Sequence, residues 1–276
     1  MTSTDLPTAR GADGRPAERS SFETAMRARK AGGAKLVVPY VTGGMGTDWV
    51  EVLAAVVLAG ADAVEVGIPF SDPVMDGPVI QEASRLALEA GATPASVLAS
   101  AASAQVSVPV IAMTYYNIVF HHGLQRFAEM LAGSRFSGSI VPDLPLEEAG
   151  PWMAESRAAG LDNVLLVAPT TPPDRAEAIC AAGSGFVYGV GLMGVTGERS
   201  ELADSALEVA RRLKAITDLP VLVGVGVTDA AQAARVCEVA DGVIVGSALV
   251  RRLLSGEGAQ GAGEFVAQLR GAVDRG

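Results

Sequence analysis

Apolar and polar positions alternate at two scales along this chain. Short runs rich in β-branched residues recur at 35–42 (KLVVPYVT), 63–69 (AVEVGIP), 109–116 (PVIAMTYY), 138–143 (GSIVPD), 163–169 (NVLLVAP), 185–190 (GFVYGV), 220–226 (PVLVGVG) and 241–248 (DGVIVGSA). Between them lie longer segments with apolar residues at helical spacing, such as DWVEVLAAVVLAG, SELADSALEVARRLKAI and TDAAQAARVCEVA. The first pattern predicts strands and the second predicts helices. Near-continuous apolar strands, each followed by a helix, predict a parallel sheet covered on both faces.

Eight such units in about 230 residues match an α/β fold of the (β/α)8 TIM-barrel type in number and size. An open doubly wound sheet is the alternative, but it more usually has five to seven strands. Residues 21–31 predict an extra helix that closes the N-terminal end of the barrel. The first twenty residues, MTSTDLPTARGADGRPAERS, are polar and rich in Gly and Pro, and lack the apolar centre of a signal peptide. They are expected to be a disordered tail, residues 1–20, ahead of one catalytic domain spanning 21–276, with a cytoplasmic location.

Barrels of this type carry their chemistry at the C-terminal ends of the strands and in the loops that follow. That rule selects a short set of residues. Glu65 lies within the second strand, with Asp72 and Asp76 in the loop EVGIPFSDPVMDGPVI after it. Tyr115 and Asn117 are placed at the end of the third strand and Asp143 at the end of the fourth. Tyr188 falls in the sixth, Gly224 and Gly226 end the seventh, and Gly246 and Ser247 end the eighth.

Glycines after strands seven and eight suit a phosphate. Gly lets the backbone approach closely, and the N–H groups of a helix starting after strand eight point at the anion. Gly226, Gly246 and Ser247 are therefore the expected phosphate contacts, with Gly197 covering the pocket from the loop after strand six. The run GVGLMG at 189–194 fits a dinucleotide fingerprint, but its third glycine opens no helix and no acid closes the next strand, so a nucleotide site is rejected.

Composition narrows the partners. A formal net charge of −10 argues against nucleic acid or an anionic membrane, and the apolar runs are too short to span a bilayer. Cys180 and Cys237 have neither metal spacing nor a disulfide framework and are read as small buried apolar residues. His121 and His122 are adjacent with no third ligand near them in sequence, so no metal site is expected.

EVGIPFSDPVMDGP, PDLPLEE at 142–148, GVTG at 194–197 and VIVGSALV at 243–250 resemble the tryptophan synthase alpha chain family, from Ser21 to the C-terminus and in order. The resemblance implies retro-aldol cleavage of indole-3-glycerol phosphate to indole and glyceraldehyde 3-phosphate, with no cofactor on this chain. It implies a partner as well, a separate beta chain carrying pyridoxal phosphate, in an α2β2 assembly. Carried over by position, Glu65 and Asp76 become the catalytic acids. Tyr188, Thr196 and Tyr115 become substrate-positioning residues. Asp72 falls in the loop that meets the beta chain, and Asn117 and Asp143 join it at the partner interface. A glutamate between Val64 and Val66 is expected to have a raised pKa suited to moving a proton. Asp76 is expected to accept the indole N–H.

The chain departs from the family pattern at Met45 and Gly46 in the first loop, at Met75, at Gly191 and Leu192, and at Val225. These changes leave the acids and phosphate contacts in place but alter loop flexibility and pocket shape. Three competing readings follow. A stand-alone lyase would release free indole for specialised metabolism. A non-catalytic subunit would only activate a beta chain, against which both retained acids speak. A sugar-phosphate isomerase would explain the glycines but not the segment 65–78.

Overall fold

The structure, a computed structural model, describes residues 21–191, 199–224 and 226–275. Among them are nine parallel strands: β1 (Leu36–Thr42), β2 (Val64–Gly67), β3 (Val110–Met113), β4 (Gly138–Ile140), β5 (Asp162–Asn163), β6 (Leu165–Val167), β7 (Val187–Val190), β8 (Val221–Gly224) and β9 (Gly242–Val245). Their order in the sheet is β5-β4-β3-β2-β1-β9-β8-β7-β6. The two ends of that order are consecutive in the chain, parted only by Val164, whose N–H donates to the Ser139 carbonyl at 3.0 Å. The sheet therefore closes on itself, and β5 with β6 makes one barrel strand. The eight predicted units and the barrel are both present.

Alternation along the strands explains how the barrel fills. On β1, Leu36 and Val38 join the interior cluster with Ile111, Ile140, Phe186, Leu222 and Ile244. Val37 and Val41 instead belong to the larger cluster between sheet and helices. A strand buried on both faces has no polar side, which is why its sequence reads as a continuous apolar run. The period-2 alternation separates inside from outside without changing polarity.

The helix Ser21–Ala31 closes the N-terminal end, as the sequence predicts. Its Phe22 and Met26 enter the interior cluster, and Phe22 meets Phe186 edge-on at 6.0 Å. The Glu23 N–H donates to Asp162 Oδ2 at 3.2 Å, and the Gly185 N–H donates to Glu23 Oε2 at 3.3 Å. This plug leaves the opposite, C-terminal mouth as the open end.

Predicted strand ends run long by a few residues at that mouth. The third strand ends at Met113, and Tyr116–His122 is already helical, so Tyr115 is its N-cap residue and Asn117 lies on the helix. The fourth ends at Ile140, leaving Asp143 in the loop. The last ends at Val245, and Ser247 opens the helix Ser247–Leu254. Apolar, β-branched residues continue past each strand because the loops are packed too, and hydrophobicity alone does not mark where ladder pairing stops. The expected tail at 1–20 lies outside the described residues.

Candidate active site

The C-terminal mouth opens into a cavity of about 1060 Å³, lined among others by Tyr40, Glu65, Asp76, Tyr188, Gly226, Gly246 and Ser247. Parallel strands all turn the same end to the mouth, so residues remote in sequence converge there: Tyr40, Glu65 and Tyr188 from within their strands, and Asp76, Gly226, Gly246 and Ser247 from just beyond theirs.

Glu65 sits on β2 between Tyr40 of β1 and Ile111 of β3 in the strand register. It is 1% exposed, and its Oε1 has no hydrogen-bond partner among the described residues. Burial pushes its pKa up to about 8. The expectation of a raised value from the apolar flanks is met. Leaving a buried carboxyl oxygen without a donor costs about 1–3 kcal/mol or more, a cost that a donor on a molecule bound in the cavity would offset.

Asp76 ends the loop after β2, immediately before a rigid start. Gly77 caps the helix Pro78–Glu89 in an extended conformation, and Pro78 occupies its first turn, where a missing N–H is harmless. Within the loop, the Val74 N–H donates to the Asp72 carbonyl at 2.9 Å and the Asp76 N–H to the Pro73 carbonyl at 3.0 Å. Gln81 Nε2 donates to the Asp76 carbonyl at 2.9 Å. The cluster of Pro, Asp and Gly in this stretch thus builds compact turns that aim one carboxyl at the cavity. Burial raises the Asp76 pKa, opposed by a hydrogen bond from the Tyr115 hydroxyl.

Tyr115 is not among the residues lining the cavity; it lies against the loop. Its ring stacks on Phe70 at 5.0 Å, and its hydroxyl oxygen accepts from the Met75 N–H at 3.0 Å. Tyr188, on β7, is buried, and its pKa is raised well above the ordinary value, first by burial and then by the charges of Glu65 and Asp76. It therefore stays a neutral O–H donor beside both acids.

After β8, Gly226 also lines the cavity and has φ +79°, a left-handed conformation that favours glycine. Gly246 caps the helix that Ser247 begins, so its first N–H groups are free of partners within the helix. Asp143 lines the rim, and its Oδ1 accepts from the Tyr116 N–H at 2.9 Å. Asp72 and Asn117 lie on the exposed surface outside the cavity lining. Thr196 and Gly197, like Leu192 and Val225, lie outside the described residues.

Sequence reasoning missed Tyr40, Met113, Arg175 and Arg251, all of which line the cavity. Tyr40 could have been found by counting inward positions along β1. The arginines carry no comparable signal, because a helix arginine reads as solvated surface until the helix is placed.

The model of the family described as tryptophan synthase alpha chain matches residues 26–272. The chain belongs to that family. A tryptophan synthase alpha chain of Streptomyces avermitilis is 44% identical over 255 residues, covering 91% of this chain and 92% of the relative. One from a Synechococcus strain is 47% identical over 230 residues, covering 81% and 86%. A solved structure of Mycobacterium tuberculosis tryptophan synthase superposes with a TM-score of 0.85 at 39% identity, over 93% of this chain and 99% of that one. A tryptophan synthase alpha subunit from Legionella pneumophila gives 0.82 at 31% identity, over 93% and 99%. Family members are lyases of tryptophan biosynthesis that cleave indole-3-glycerol phosphate to indole and glyceraldehyde 3-phosphate.

Proposed function

We propose that this cavity carries out the family reaction, with Glu65 and Asp76 as its catalytic acids. The observation that carries the reading is Glu65: a buried carboxyl group, its Oε1 without a protein partner among the described residues and its pKa near 8, lining a cavity that a second acid, Asp76, also lines. A pKa in that range keeps the group protonated at neutral pH and ready to act as an acid.

The phosphate binds the N–H groups after β8 and β9, at Gly226, Gly246 and Ser247, with Gly197 completing the cover. The indole ring then lies at the acid end. Protonated Glu65 delivers its proton to indole C3, making an indolenine with a positive nitrogen. The same carboxylate takes the proton of the C3′ hydroxyl. As the C3′ oxygen forms its carbonyl, the C3–C3′ bond breaks and its electron pair restores the indole double bond. Net, one proton moves from oxygen to carbon and Glu65 ends protonated. Asp76 accepts the indole N–H and stabilises the charge at nitrogen. Tyr188 and Thr196 position these groups, and Tyr115 positions Asp76.

The usual partner in the family is a beta chain. An α2β2 assembly for this chain is supported by three exposed apolar side chains in the segments that follow β2 and β3, Val74 at 79% exposure, Met75 at 59% and Phe120 at 70%. Exposed apolar side chains on segments next to a functional site suit a protein partner. Asp72 stands next to them, with Asn117 on the same helix as Phe120. The test is indole release from indole-3-glycerol phosphate by the purified chain, with and without a beta chain, beside Glu65→Gln. Turnover lost in the variant and raised by the beta chain is expected. Unchanged turnover on adding beta chain would favour a lyase that works alone, and no indole from the folded wild-type chain would reject the catalytic reading.

A further inference from the structure

The ring of Tyr40 connects the two ends of the cavity. β1 points its alternate residues Leu36, Val38 and Tyr40 into the barrel, and Tyr40 is the last large one before the mouth. Its base lies against Gly246: a Cβ built there would stand 3.6 Å from Tyr40 Cβ and 3.8 Å from Cγ. Its tip lies against Gly67 of β2, where a Cβ would stand 1.9 Å from Oη and 2.4 Å from Cζ. Gly246 belongs to the anion end and Gly67 follows Glu65 by two residues, on the same inward face. The side chain absent from position 67 is thus the space that the Tyr40 hydroxyl fills.

Its surroundings keep that hydroxyl neutral. Burial, then the charge of Asp76, holds the Tyr40 phenol far above its ordinary pKa. Thr42, the register partner of Gly67, brings a second buried hydroxyl to the same place, close enough to act on the Tyr40 phenol. The upper part of β1 therefore offers two hydroxyl groups and an aromatic face beside Glu65.

We infer that Tyr40 is a specificity-determining residue of this site: its ring walls the path from phosphate to acids, and its hydroxyl, seated over Gly67, sets how large an aromatic ring fits beside Glu65. The inference rests on the indole-3-glycerol phosphate reading and adds to it the residue that limits ring substitution. The quantity that this contact sets is which ring is accepted, and that is what the test reads.

The probes are indole-3-propyl phosphate, which lacks the glycerol hydroxyls and cannot be cleaved, and its four derivatives bearing one methyl on the benzo ring. Dissociation constants are measured by calorimetry for wild type, Tyr40→Phe and Gly67→Ala, with melting temperatures as a check on folding. Tyr40→Phe should bind the parent within about threefold of wild type and at least one methyl derivative about tenfold better than wild type does, the scale of one added carbon in an apolar pocket. Gly67→Ala, which forces the Tyr40 ring toward the cavity, should weaken that same derivative more than the parent. If wild type binds the parent but all three proteins rank the derivatives alike, the role of Tyr40 is overturned and the function stands. If wild type binds no indole phosphate, the functional reading fails and takes the inference with it.

Discussion

The hydroxyl oxygen of Tyr115 accepts a hydrogen bond from the backbone N–H of Met75, one residue before Asp76 and forty positions away from the tyrosine. The same ring stacks on Phe70, where the loop leaves β2. One side chain therefore holds the loop at both ends and donates to the carboxylate it carries. Tyr115→Phe keeps the stack and removes both hydrogen bonds. We expect kcat/KM for indole release to fall by about tenfold, the worth of one to two such bonds. The Tyr115 hydroxyl lowers the Asp76 pKa, so its loss lets that pKa rise, and any acid limb due to Asp76 should move to higher pH. An unchanged acid limb alongside lower activity would mean that the bond shapes the loop without tuning the acid.

The pKa of Glu65 makes two predictions with definite signs. In the proposed reading the protonated form is the starting acid, so kcat/KM should be flat at neutral pH and fall as pH rises through about 8. Folding is linked to the same titration. The folded state holds this proton up to about pH 8, whereas the unfolded chain loses it near 4.5. Between those values the folded state binds more protons, and stability declines as pH rises. Glu65→Gln removes that decline. The variant should lose about 10²–10⁴-fold in turnover. Its melting temperature relative to wild type should be higher at pH 8.5 than at pH 5. A difference that does not depend on pH would show that Glu65 is not held in its protonated form.

The parts of this architecture legible in the sequence are those set by short-range pattern. Eight apolar runs separated by helical segments suffice for a barrel, because parallel strands buried on both faces have few other solutions. Glu65 stood out because an acid within such a run has a high cost unless it is used. Tyr40 did not, since a tyrosine in an apolar strand reads as core until its neighbours are known to be Gly67 and Gly246. Strand ends were overextended at Asp143 and Ser247 because pairing ends where the backbone turns, not where side chains become polar. The role of Tyr115 was similarly hidden: its contacts with Phe70 and Met75 join segments 40 or more residues apart in the chain.

Ser247 separates binding from chemistry. It opens the helix after β9, on the far side of β1 from Glu65, and in the proposed reading it touches only the phosphate. Ser247→Ala should raise KM about five- to tenfold, the worth of one hydrogen bond to a charged group, and leave kcat within about twofold. Inorganic phosphate should inhibit the wild type competitively and the variant more weakly. A drop in kcat with KM unchanged would place the anion elsewhere.

Gly224 and Tyr188 provide a last, structural test of the acid end. A Cβ at position 224 would lie 2.2 Å from the Tyr188 hydroxyl oxygen and 2.5 Å from Cζ, closer than atoms tolerate. Gly224→Ala must therefore displace either the ring or strand β8, both of which are buried. Overpacking of this kind costs about 1–3 kcal/mol, readable as a fall in denaturation midpoint. Moving the ring away from Glu65 should also lower kcat/KM by about tenfold. Combining the change with Tyr188→Leu distinguishes these two effects. The shorter side chain makes room for the new methyl, so the double variant should be more stable than the sum of the single penalties predicts, by about 1 kcal/mol. Activity should not return, because the phenol is gone. Strictly additive stabilities would mean that the ring and the glycine do not meet, and that Tyr188 is held beside the acids by some other wall of the barrel.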